Sequence, residues 1–246
     1  MLEQLRVSAT WPAPHRAFTT PSEHQRDWIG HDGSVAHGVD LVIPVKMLNR
    51  AKTRLFGGGD RAAHEALVLA FLRDTAAAAA SSASVRTVLV VSSDPTIAAV
   101  LAGDGIEVLP DDPAMNLNQA LTHGTDALLR RDPSATVGAL QADLPALRPE
   151  ELSAALEQAR GRRAFVADHQ GTGTTLLLAA PHRLLDPHFG VGSAGAHATS
   201  GALAITVPVP TLRCDVDTVE DLVAAHALGL GKHSSAVVGA SSPTGC

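Results

Sequence analysis

The chain has 246 residues, about one or two domains' worth, and at 45% hydrophobic and 18% charged it is neither disordered throughout nor fibrous. Nineteen Lys and Arg against 25 Asp and Glu leave a net charge of −6; with five Phe, two Trp and no Tyr, the basic stripes and stacking platforms of a nucleic-acid binder are missing. The two cysteines, Cys214 and Cys246, cannot form a disulfide framework, no Cys or His pair has zinc-finger spacing, and a reducing cytoplasm is the expected compartment.

Residues 1–38 mix Pro, His, Thr and Gly without period and without the apolar core of a secretory signal, so they read as a loose extension. From residue 39 short apolar runs alternate with helical stretches, which predicts a doubly wound α/β domain over 39–232 with a mostly parallel sheet. DLVIPV (40–45) is the first strand and 60–80 a long helix, whose apolar run is broken by Glu65, Arg73 and Asp74 and therefore does not span a membrane. TVLVVS (87–92) is a second strand, followed by a helix capped by Asp94 and Pro95. IEVL (106–109), a helix over 116–131, TVGALQ (136–141) and a helix opened by Pro149 come next. AFVAD (164–168) and TTLLLA (174–179), joined by HQGTG, form a β-hairpin insertion. ITVPVP and LRCDV lead to a closing helix over 218–228, with Cys214 in a buried strand, and residues 233–246 read as a flexible tail.

Ligands of open α/β sheets sit beyond the carboxyl ends of the strands. Four cations, Lys46, Arg50, Lys52 and Arg54, crowd the connection after the first strand. They suit a triphosphate, whose oxygens gain charge as pyrophosphate leaves; the alternative is a solvated basic loop. Asp143 follows the fourth strand, and Asp215 and Asp217 precede the closing helix. Such carboxylates suit Mg²⁺ completed by substrate phosphates, although each also fits a capping role.

Gly190, Gly192 and Gly195 match G-x-G-x-x-G, but late in the chain and after no strand, so a dinucleotide fingerprint is rejected. Val191 spoils a serine nucleophile elbow at Ser193. What is left is two small-residue turns, 171–175 and 190–193, able to bring N–H groups to an anion. The twelve histidines are scattered; His197, near the second turn, is a candidate anion donor and none is assigned to a metal.

As an ordered set, IPVK with AKTRL, LQADLPAL, FVAD with GTGTTLL, FGVGSAGAH and DVDT resembles the phosphoenolpyruvate or 2-phospho-L-lactate guanylyltransferase family of coenzyme F-420 biosynthesis, over residues 40–232. The resemblance implies a nucleotide-diphospho-sugar transferase-like nucleotidyltransferase fold, with GTP as co-substrate, Mg²⁺, and a small phosphorylated three-carbon acid that receives GMP. It places the metal on Asp143, Asp215 and Asp217, and the acceptor on Thr175, Gly190 and Ser193. Lys46, Lys52, Arg54 and Asn118 fall on the nucleotide side, with Lys46 and Asp143 nearest the chemistry. The segment AMNLNQAL carries Asn116 where the family pattern expects Gly. Phosphoenolpyruvate is the expected acceptor, 2-phospho-L-lactate the alternative, and a non-catalytic nucleotide-binding module the competing class; a homodimer is the default assembly.

Overall fold

The computed structural model describes residues 38–48 and 61–240, together with two short strands, β1 (Trp28–Ile29) and β2 (Val35–Ala36), that pair with each other antiparallel. The extension read over 1–38 lies otherwise outside the described residues, as do Arg50, Lys52, Arg54 and the end of the chain from 241. The domain then runs β3 (Val39–Pro44), α1 (Arg61–Ser81), β4 (Val85–Val91), α2 (Pro95–Gly103), β5 (Glu107–Leu109), α3 (Leu117–Arg131) and β6 (Val137–Leu140). It continues through α4 (Pro149–Ala159), β7 (Ala164–Ala167), β8 (Thr174–Leu178), α5 (Ser193–Thr199), β9 (Leu203–Ala204), α6 (Val219–Leu228) and α7 (Lys232–Ala240).

Seven strands form one sheet in the order β5-β4-β3-β6-β8-β7-β9. All neighbours are parallel except β8, which runs antiparallel to both β6 and β7. The hairpin is thus no appendage: its second strand is inserted between β6 and β7. Central strands read as unbroken apolar runs because both faces of the sheet are covered. Leu41 and Ile43 on β3, with Val88 and Val90, pack toward Leu72 and Ala76 of α1. Val42, Leu89 and Val91 point the other way, onto Leu121 and Leu128 of α3, as the two-residue period of a strand requires.

Local chemistry sets the helix starts. The Asp94 carboxylate accepts from Thr96 N–H at 2.8 Å ahead of Pro95. Asn116 and Gln119 exchange side-chain and backbone bonds in a capping box, which accounts for Asn at this position, and Thr218 with Asp221 does the same for α6. Helix α3 comes so close to the sheet at Gly124 that a Cβ there would lie 2.6 Å from Val42 Cγ1 and 2.7 Å from Val91 Cγ2. Both valines are fully buried and cannot yield. Gly124→Ala should therefore lose about 1–2 kcal/mol, because overpacking outweighs the gain in helix propensity; a lower urea midpoint at unchanged slope checks this.

Two stretches depart from the sequence-based expectation. Residues 205–217, including Cys214, form no strand. Pro208 and Pro210 lack N–H groups for a ladder, and side chains of α4 take over neighbouring donors instead. Gln158 Oε1 accepts from Thr206 N–H and Val207 N–H, both at 2.9 Å, and Glu151 Oε2 accepts from Thr211 N–H at 2.8 Å. The stretch read as a flexible tail is helical up to Ala240. The buried Asp74 carboxylate on α1 receives His233 N–H and Ser234 N–H at 3.0 and 2.7 Å, capping α7 from outside. Val237 and Val238 then pack beside Phe71, Val216 and Ala225. No helix among the described residues is long and apolar enough to cross a membrane.

Candidate active site

Beyond the carboxyl ends of β3 and β6 lies a cleft of about 420 Å³. Lys46, Asp111, Asn116, Gln141, Asp143 and Asp217 supply its polar lining, and Phe71, Leu72 and Leu117 are among its apolar walls. Lys46 is exposed, and the backbone around it is tied down by Val45 N–H on Val91 O (2.9 Å) and Leu48 N–H on Asp94 Oδ2 (3.0 Å). The cap of α2 therefore also fixes the start of the basic connection.

The acidic residues meet although more than 70 positions separate them in sequence. Val216 N–H donates to Asp143 O at 3.0 Å, which joins the peptide of Asp143 to the one between Asp215 and Asp217. Thr75, fully buried on α1, brackets the same peptide: its Oγ1 accepts from Leu144 N–H (3.0 Å) and donates to Ala142 O (3.2 Å). Burial, with the charges of Asp143 and Asp217 close by, pushes the Asp215 carboxyl up to about 7. Its Oδ1 is buried and accepts no hydrogen bond. Among the described residues no three His, Cys, Asp or Glu side chains already stand as a metal-binding group. Crowded carboxylates with a buried, unbonded oxygen fit a hard cation that keeps much of its shell for waters and phosphates. They do not form a closed protein cage.

Thr175, Gly190 and Ser193 do not line this cleft. Thr175 is the extra residue of a β-bulge, since Leu176 pairs with Val166 and Thr174 with Ala167; its side chain is fully buried. Its carbonyl accepts from Gln141 N–H at 2.9 Å, which sets the bulge beside the cleft. Ser193 is buried too, and its hydroxyl donates to Thr174 Oγ1 at 3.1 Å. The two small-residue turns do come together, since Ala194 N–H donates to Thr172 O at 3.1 Å. Gly190 is exposed with φ +144°, and a Cβ there would meet nothing within 4 Å. A side chain at 190 would be resisted by the backbone conformation and not by crowding.

Two residues are occupied otherwise than their chemistry suggests. Asn118 spends its amide on the backbone of Phe189, donating from Nδ2 to Phe189 O (3.0 Å) and accepting from Phe189 N–H at Oδ1 (2.9 Å). It does not line the cleft. His197 is fully buried with both ring nitrogens engaged, so it is no anion donor.

Two further residues, Asp168 and His169, stand close to Asp215. Asp168 accepts from Thr172 N–H (2.9 Å) and Gly173 N–H (2.7 Å), shaping the β7–β8 turn, and its charge adds to the upward push on Asp215. His169 faces Asp215 Oδ1 at 3.8 Å and Asp221 Oδ1 at 3.5 Å. The strand-end rule that found Asp143 applies equally to Asp168. No local signal marks His169 or Thr75.

A sheet of this order gathers a cation at one strand end and acids at others around one cleft, an arrangement that suits a nucleotidyltransferase. Solved structures share the fold: a Desulfovibrio desulfuricans protein provisionally described as a nucleotide-diphospho-sugar transferase superposes with a TM-score of 0.62 at 15% identity, covering 82% of this chain and 94% of that one. A 4-diphosphocytidyl-2C-methyl-D-erythritol synthase gives 0.52 at 16% identity, over 79% and 99% of the two chains. The chain belongs to the "Guanylyl transferase CofC like" family, whose model matches residues 39–238 and so includes most of α7. The phosphoenolpyruvate guanylyltransferase of Geodermatophilus obscurus is 51% identical over 212 residues, covering 83% of this chain and 96% of that protein. The enzyme of the same name from Salinispora arenicola is 47% identical over 212 residues, covering 83% and 95%. The protein is a guanylyltransferase.

Proposed function

We propose that this enzyme moves GMP from GTP to the phosphate of phosphoenolpyruvate, forming enolpyruvoyl-2-diphospho-5'-guanosine for coenzyme F-420 biosynthesis. The observation that carries the substrate is the 42–51% identity to relatives named for that acceptor, over 80–87% of this chain. An acceptor phosphate oxygen attacks the α-phosphorus of GTP, the bond from the α-phosphorus to its bridging oxygen breaks, and pyrophosphate leaves with the electron pair. The nucleophile is already an anion, so positioning and charge neutralisation suffice without a general base. The free, buried Cys214 suits a reducing cytoplasm.

Asp143, Asp215 and Asp217 would hold Mg²⁺, which when bound polarises phosphoryl oxygens and offsets their developing charge. Lys46, exposed at the cleft, adds a cation against the triphosphate, together with Lys52 and Arg54 outside the described residues. Thr175, Gly190 and Ser193 belong to the acceptor side, where small residues let backbone donors approach a phosphate and a carboxylate. Lys46→Ala should raise the KM for GTP about tenfold or more while moving the acceptor KM less. A change confined to the acceptor KM would mean that the two subsites are reversed.

The deciding assay follows pyrophosphate release while crossing GTP, ATP, CTP and UTP with phosphoenolpyruvate and 2-phospho-L-lactate. GTP with phosphoenolpyruvate should give the highest kcat/KM. An advantage for 2-phospho-L-lactate would change the acceptor and leave the reaction type standing. No release with any pair would leave a binding module.

A further inference from the structure

Asn118 reads in sequence as a nucleotide contact, yet its amide is matched donor to acceptor and acceptor to donor with one backbone unit, the N–H and C=O of a single residue 71 positions away. That unit, Phe189, directly precedes Gly190, whose φ of +144° few other residues adopt. On its other side His188 N–H donates to His197 Nε2 at 3.0 Å. The Phe189 ring stands edge-on to the His197 ring, with centroids 5.0 Å apart and planes at 72°. The backbone leading into Gly190 is thus held at Phe189 by Asn118 of α3 and at His188 by His197 of α5. Asn116, two residues before Asn118, lines the nucleotide-side cleft. The first turn of α3 therefore reaches the cleft with one residue and the acceptor-side loop with another.

We propose that Asn118 is a positioning residue for the acceptor loop, holding residues 188–193 in their ligand-competent form, and that it makes no contact with the nucleotide. The inference rests on the acceptor reading of Gly190 and Ser193 given above, and it deepens that reading by linking the loop to the helix that borders the nucleotide cleft. The amide turns one N–H and one oxygen lone pair to Phe189 and does not line the cleft, and releasing it frees both backbone groups of Phe189. Replacement of Asn118 should loosen the loop and leave the cleft intact.

Two measurements test this on Asn118→Ala in the full chain. Hydrogen–deuterium exchange without substrate should be faster in peptides spanning 188–193 and unchanged in the body of α3 and in β3. Steady-state kinetics should show the KM for phosphoenolpyruvate raised about tenfold, the scale of one to two lost hydrogen bonds, with the KM for GTP within about twofold. Asn118→Asp keeps an oxygen for the Phe189 N–H and suits the first turn of a helix; it should loosen the loop less than Ala does, which guards against a variant that misfolds. Unchanged loop exchange in both variants overturns the proposal, and so does a rise in the GTP KM that exceeds the rise for the acceptor. If the wild-type enzyme releases no pyrophosphate, the proposed reaction fails, and the exchange experiment still decides whether Asn118 holds the loop.

Discussion

Asp215→Asn is expected to cut turnover about a thousandfold or more, equivalent to ~4 kcal/mol of barrier, while the protein melts no earlier than wild type. The two halves of this result have one cause. The Asp215 carboxyl is desolvated and surrounded by the charges of Asp143, Asp217 and Asp168, which together push it up to about 7. Its charged form therefore opposes folding, so the neutral amide relieves repulsion and leaves the backbone link from Val216 N–H to Asp143 O in place. A site held under that strain is one that a divalent cation would relax, and excess chelator should stop wild-type turnover to a similar degree. Measuring pyrophosphate release and thermal midpoint on the same preparation checks both. Near-normal turnover in Asp215→Asn, or indifference to chelator, would remove the metal from the reading.

The second large effect is a loss of stability in acid that is centred on His197. The backbone N–H of His188 can only donate, so Nε2 of His197 is the bare acceptor (3.0 Å) and the ring proton lies on Nδ1, toward Thr174 Oγ1 (2.9 Å). Burial first, then the nearby positive charges of Arg163 and His188, lower the imidazole from 6.5 to about 4, with Asp186 acting in the opposite sense. Between those two values the unfolded chain binds more protons than the folded one. Stability from this group is complete above about 6.5 and is lost as the pH falls through about 4. The shift is worth about 3 kcal/mol at its full extent. Urea unfolding at a series of pH values should show wild type losing about 2–3 kcal/mol more than His197→Gln on acidification, the variant being less stable at neutral pH because the ring no longer fills the space beside Phe165 and Phe189. Parallel pH dependence in the two proteins would show that the imidazole does not carry the effect.

Most of the sheet was legible in the chain because its signals are local. Unbroken apolar runs such as LVIPV and VLVV mark strands covered on both faces, and the caps at Asp94, Asn116 and Thr218 act on N–H groups two or three residues away. Strand ends in such a sheet lie at one rim, which is why Lys46, Asp143 and Asp217 could be expected together, and all three line one cleft.

Elsewhere the deciding partner is distant. The ITVPVP stretch has the composition of a strand, but Gln158 and Glu151 of α4 capture its neighbouring donors. A Ser/Gly-rich end becomes helix because Asp74, some 160 positions earlier, caps it. Asn118 is the sharpest case: an amide in a nucleotide-side segment suits a base, and only the arrival of the Phe189 backbone shows where its oxygen and nitrogen turn. Periodicity and capping chemistry, which span a few residues, thus determined the elements and the rim on which the site is built. The use of each polar side chain was left to the tertiary structure, because a buried hydrogen-bonding group takes whatever complementary partner the fold brings to it, however far away in sequence.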